Sequence, residues 1–195
     1  MEDEVAANLL DNIDFLGKYI LKEGIDPNNR IILVNTDINR KTADKFIKSL
    51  RFLECYSGDP ITIHINCPGG SVYDGLSMID AIRTSSCQVI TVGTGLIASM
   101  ALPLLASGDI RKATANSFMM CHEISYSHGH ERLSTTEIES KHTKILNVRL
   151  NKLLAQYSFK PYHFWARVGK HVDYYMDADK ALELGLIDEI IEEKS

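Results

Sequence analysis

Short runs of β-forming residues alternate with segments of helical period along most of the chain, and this alternation limits the fold more than any other feature. "RIILVN" reads as a buried strand and is followed by a helix over 40–56. "ITIHIN" reads as a second strand, and the next helix places Val72, Leu76, Ile79 and Ile82 on one face. "CQVITVGT" and "SFMMCHEI" are two further strands, separated by "GLIASMALPLLASG", a turn and a short apolar helix that tolerates Pro103 only in its first turn. The longest helix covers about 135–157, with Ile138, Ile145, Leu146, Leu150, Leu153 and Leu154 as its apolar stripe. Strands separated by helices pair in parallel through right-handed crossovers, so the fold class is α/β with a mostly parallel sheet. The chain shows no internal repeat or low-complexity linker, and 1–195 reads as one domain.

Residues 4–22 add an amphipathic helix, with Val5, Leu9, Ile13, Leu16 and Ile20 at spacings of three and four, closed by Gly24 and "DPNN". Its apolar stripe calls for a packing partner, either its own sheet or a site at the mouth of an assembly. The long helix likewise reads as an appendage able to dock on a neighbouring subunit.

Composition narrows the function. A net charge of -5 with dispersed bases gives no footing for nucleic acid or an anionic membrane surface. Four scattered cysteines fit reduced thiols in a cytoplasmic location better than a disulfide framework. The acidic N-terminus does not read as a secretory signal, and no apolar run is long enough to span a bilayer.

Open α/β sheets carry their sites at the carboxyl ends of strands. Two turns there are chemically loaded. "NCPGGS" joins a strand to a helix through two glycines, which let the backbone approach something closely; "TGLIASM" sets Ser99 at a helix start. Alone, Ser99 reads as an N-cap. As a nucleophile it needs a base and an orienting acid, for which His122 and Asp173 are candidates by residue type. Sequence spacing does not establish that the three meet.

"NCPGGSVYDGLSMIDAIR", "GLIASMALPLLASG", "NSFMMCHE" and "DYYMDADKALELGLIDEI" resemble, in order, the signature blocks of the Clp protease proteolytic subunit family, over about 30–191. The resemblance implies the ClpP/crotonase fold of stacked ββα units, with the long helix as a protruding handle and the N-terminal helix an addition. It implies Ser99 as nucleophile, His122 as general base and acid, and Asp173 as orienting carboxylate. The amides of Gly70 and Met100 would form the oxyanion hole, and Gly69, Ser71 and Val72 would belong to the strip that pairs with extended substrate. The implied protein is a serine endopeptidase that needs neither cofactor nor metal. It would cut unfolded polypeptides or short peptides inside a homo-oligomer, a heptameric ring or two stacked rings, with an AAA+ ATPase as a further partner. The chain departs from the family's pattern at Cys67, Ala101 and Val172, over 123–134, and in its N-terminal helix.

Other readings stay open on the sequence. "CHEISYSHGHE" holds His122, His128, His130 and two glutamates, without the spacing of a known metal motif. An acyl-CoA enzyme of crotonase type would share the fold. A Ser–Lys peptidase would need Lys112 or Lys170 near the serine, and a non-catalytic scaffold would need no triad. His64 and His142 read as packed or exposed.

Overall fold

The computed structural model describes residues 22, 24–124, 133–170 and 172–192. The helix expected over 4–22 and the histidines His128 and His130 lie outside the described residues, Lys22 apart. Eight strands and six helices follow one another: β1 (Ile25–Asp26), β2 (Ile31–Val34), α1 (Arg40–Tyr56), β3 (Ile61–Cys67), α2 (Val72–Arg83), β4 (Val89–Ala98), α3 (Ala101–Ala106), β5 (Ile110–Thr114), β6 (Phe118–Cys121), α4 (Leu133–Gln156), α5 (Tyr162–Val168), β7 (Tyr174–Asp177), α6 (Ala178–Leu184) and β8 (Glu189–Ile191). The main sheet runs β1-β2-β3-β4-β5-β8, and β6 and β7 branch from β4. All pairings are parallel except β1 with β2 and β6 with β7. The mostly parallel α/β reading therefore holds.

Strand β3 alternates, and its β-branched residues are buried on one face. Ile61, Ile63 and Ile65 of β3 are fully buried, and Phe46, Leu50 and Leu53 of α1 lie in the same core. Asn39 starts α1 with a capping box: its side-chain Oδ1 accepts from the Thr42 amide while the Thr42 hydroxyl accepts from Asn39 N–H. Handle helix α4 is only half an appendage. Leu146 and Leu154 are buried and Leu150 and Leu153 pack on the core, whereas Ile138, Ile145 and Val148 stay exposed.

Two strand boundaries depart from the sequence reading. "GLIA" is not a turn but the second half of β4, which pairs with β5 over Ile90–Gly93 and then with β6 over Leu96–Ala98. The changeover falls at Gly95, whose φ of 60° suits glycine, with the Leu96 amide held by Asn66 Oδ1 at 3.2 Å. "IRKAT" forms β5 although it carries two cations, because each is paired: Lys112 with Glu189 at 2.6 Å and Arg111 with Asp188.

Arg111 ties the last turn of the fold together. It bonds both oxygens of Asp188 and donates to the carbonyls of Tyr157 and Gly185. Those bonds hold the Asp188 carboxyl below its ordinary value of 3.8. A carboxyl depressed on folding stabilises the folded state above its unfolded value and loses that contribution as pH falls through the folded one. Arg111→Ala is expected to cost about 2 kcal/mol near neutral pH, where charged hydrogen bonds to a part-exposed partner are lost. Urea melts should show the gap between wild type and Arg111→Ala shrinking below about pH 4, the range of carboxyl titration. A gap independent of pH would contradict this assignment.

Candidate active site

Strand register brings the candidate residues together. In the parallel pairing of β4 with β6, Ala98 stands opposite Met120, so the residue that follows β4, Ser99, reaches the end of β6 where His122 follows. In the antiparallel pairing of β6 with β7, Cys121 stands opposite Tyr174, so His122 continues opposite Asp173. Residues far apart in sequence thus meet at one sheet corner, as the topology of an open sheet dictates.

Ser99 is not an N-cap. Helix α3 starts at Ala101 with Met100 before it, and Ser99 sits one residue earlier with φ 55°, a left-handed backbone that non-glycine residues rarely adopt. Its amide donates to Met120 C=O at 2.8 Å, which locks the turn onto β6. Its Oγ lies 2.8 Å from His122 Nε2. On the other side of the imidazole, Nδ1 is 3.9 Å from Asp173 Oδ1, beyond hydrogen-bond reach, and the Asp173 side chain is half exposed.

The two glycines of "PGG" approach this turn. A Cβ on Gly69 would lie 2.7 Å from both Ala98 O and Ser99 Cβ; one on Gly70 would lie 2.2 Å from Ile38 O. Both have positive φ, 100° and 141°. Only glycine fits such contacts. Ile38 N–H donates to Gly69 C=O and Ser71 N–H donates to Ile38 C=O, each at 2.7 Å. Because backbone groups alternate sides along an extended segment, those of Gly70 face away from Ile38. Gly70 lines the cleft that contains Ser99 and His122. Each of the residues expected for a substrate strip, Gly69, Ser71 and Val72, already has a structural use. Gly69 C=O and Ser71 N–H are spent on Ile38, the Ser71 hydroxyl caps α2, and Val72 already begins that helix. Met100 is buried, and its side chain lies against Gly75, where a Cβ would come within 2.3 Å of Cγ.

The cleft is about 640 Å³ and apolar at depth, where Leu146, Leu150, Leu154 and Trp165 line it. Tyr73 and His142 lie beside it: the Tyr73 hydroxyl hydrogen-bonds His142 Nε2 and the rings stack at 6.0 Å. His142 is exposed, within the packed-or-exposed reading of the sequence, and its ring partner Tyr73 comes from α2. Cys67, the departure in the first glycine block, is a structural thiol. It is buried, its Sγ accepts from the Gly69 amide at 3.3 Å, and burial raises its pKa. Burial, with the Asp173 charge adding, pushes the Cys121 thiol up to about 12, so it stays protonated and is no rival nucleophile to Ser99. His64 is half-buried in β3, and burial lowers its pKa, which suits a packed neutral ring. Lys112 of β5 is occupied by Glu189 of β8, whereas Lys170 lines the cleft.

Comparison with known proteins then decides the family. A family model described as Clp protease matches residues 26–194. The chain belongs to the Clp protease family. Among solved structures it is similar to a point mutant of ClpP1 from Listeria monocytogenes, with 29% identity over 86% of this chain and 94% of that one, at a TM-score of 0.79. Family membership makes this a ClpP-like protease fold, and the segment it covers holds both glycine turns, β6 and β7. Among the described residues no helix is long and apolar enough to cross a membrane.

Proposed function

We propose that this chain is a serine-type endopeptidase that hydrolyses peptide bonds in unfolded polypeptides or short peptides. The observation that carries the reading is the 2.8 Å contact between Ser99 Oγ and His122 Nε2, made by a serine in a strained backbone at a strand end. His122 takes the Ser99 proton through Nε2 as Oγ attacks the substrate carbonyl, then returns it to the leaving amine. The amides of Gly70 and Met100 receive the oxyanion, each such donor being worth about 3 kcal/mol of barrier. Water then repeats the sequence on the acyl-enzyme. Asp173 orients the imidazole from the Nδ1 side once the 3.9 Å separation closes to a hydrogen bond; such contacts are often long in unliganded sites.

The chain works as a homo-oligomer in this reading, a heptameric ring or two stacked rings that enclose the cleft. The exposed apolar residues Ile138, Ile145 and Val148 of α4 suit burial between subunits. A separate AAA+ ATPase would unfold folded substrates, and the active site itself uses no cofactor. Four unpaired cysteines suit a cytoplasmic setting.

Peptide hydrolysis under single-turnover conditions tests the base. Only neutral imidazole accepts the Ser99 proton, so the rate is expected to rise with pH as the imidazolium is lost. A rate that shows no pH dependence across the range in which the protein stays folded would contradict His122 in that role.

A further inference from the structure

We infer that Asn147 is a positioning residue whose side-chain carbonyl fixes the backbone that carries His122. This rests on the peptidase reading, in which His122 must meet Ser99.

Strand β6 ends at Cys121, so the ladder that orders its backbone stops one residue before the imidazole. Beyond it, two other bonds take over. Glu123 N–H donates to Gly169 C=O at 2.9 Å, and Ile124 N–H donates to Asn147 Oδ1 at 2.9 Å. Gly169 packs close beneath His122: a Cβ there would lie 3.4 Å from His122 Cα. Among the described residues the imidazole has one hydrogen-bond partner. Its Nε2 meets Ser99, but Asp173 lies beyond hydrogen-bond reach on the Nδ1 side. Ring placement therefore depends on the backbone of 122–124, and a displacement of a reacting group by about 1 Å can cost 10²-fold in rate.

Asn147 is a fixed post for this purpose. It stands on α4 next to Leu146, in the part of the helix that Leu146, Leu150 and Leu154 anchor in the interior. The bond is part-buried, so losing the acceptor leaves the Ile124 N–H without its partner. It also gives the Glu123 and Ile124 amides a use other than pairing with substrate: they brace the base.

Asn147→Leu keeps the volume and removes the acceptor; Asn147→Asp keeps the acceptor. In Asn147→Leu, kcat on a fluorogenic peptide is expected to fall about 10- to 100-fold with KM little changed, since positioning is felt in the chemical step. Labelling of Ser99 by a fluorophosphonate should slow by a similar factor. Amide exchange across 122–124, read by mass spectrometry, should speed up. Asn147→Asp should restore most of all three, which a purely structural role would not require. Asn147→Ala carries the same test if the leucine variant fails to fold. Unchanged exchange across 122–124 in the acceptor-less variant overturns the inference, as does faster exchange with wild-type kcat and labelling. Wild-type protein inert to peptide and fluorophosphonate contradicts the peptidase reading itself, and the inference falls with it.

Discussion

Ser99→Ala and His122→Ala are each expected to lower kcat on a fluorogenic peptide by about 10⁴- to 10⁶-fold, and the double variant to fall no further than the worse single one. The reason is that the two act as one unit across the 2.8 Å contact: an unassisted hydroxyl is a poor nucleophile, and a base without a proton to accept does nothing. Ser99→Ala removes one hydrogen bond, worth about 1 kcal/mol, so its melting temperature should stay close to wild type. KM should change little. Additive losses in the double variant would mean that Ser99 and His122 serve separate functions.

Gly70→Ala is the second large effect. Its Cβ would press on Ile38 O at 2.2 Å, and neither backbone can yield cheaply. The φ of 141° is itself a region that alanine avoids, a strain of about 1 to 3 kcal/mol. The Ile38–Gly70 bridge should open and carry the Gly70 amide away from the cleft. Peptide hydrolysis should drop about 10²- to 10³-fold, the cost of a lost oxyanion donor, with a lower melting temperature. Wild-type kcat in folded Gly70→Ala would remove Gly70 from the oxyanion hole.

Elements with a clean period were legible in the sequence. Helices α1 and α2 and strands β2 and β3 fall where apolar spacing put them, because their faces are buried on one consistent side. Strand β5 escaped because its cations are neutralised by Asp188 and Glu189, partners supplied from the far end of the chain. "GLIA" misled because glycine usually marks a turn, whereas Gly95 here marks where β4 changes partners. Strands β1 and β8 are two and three residues long, too short for any period to register. The approach of Ser99 to His122 was not legible in spacing at all. It follows from the offset of β4 against β6, and the resemblance to known blocks named these residues where periodicity could not. Asn147 escaped for another reason: reading α4 by its apolar stripe passes over a polar residue whose partner, Ile124, lies outside the helix.

In the proposed mechanism Ser99 is an activated nucleophile. Wild-type protein treated with a fluorophosphonate at neutral pH should carry one covalent adduct, mapped by mass spectrometry of the digest to Ser99 and abolished in Ser99→Ala. Absence of any adduct, or an adduct that persists at full rate in Ser99→Ala, would contradict it.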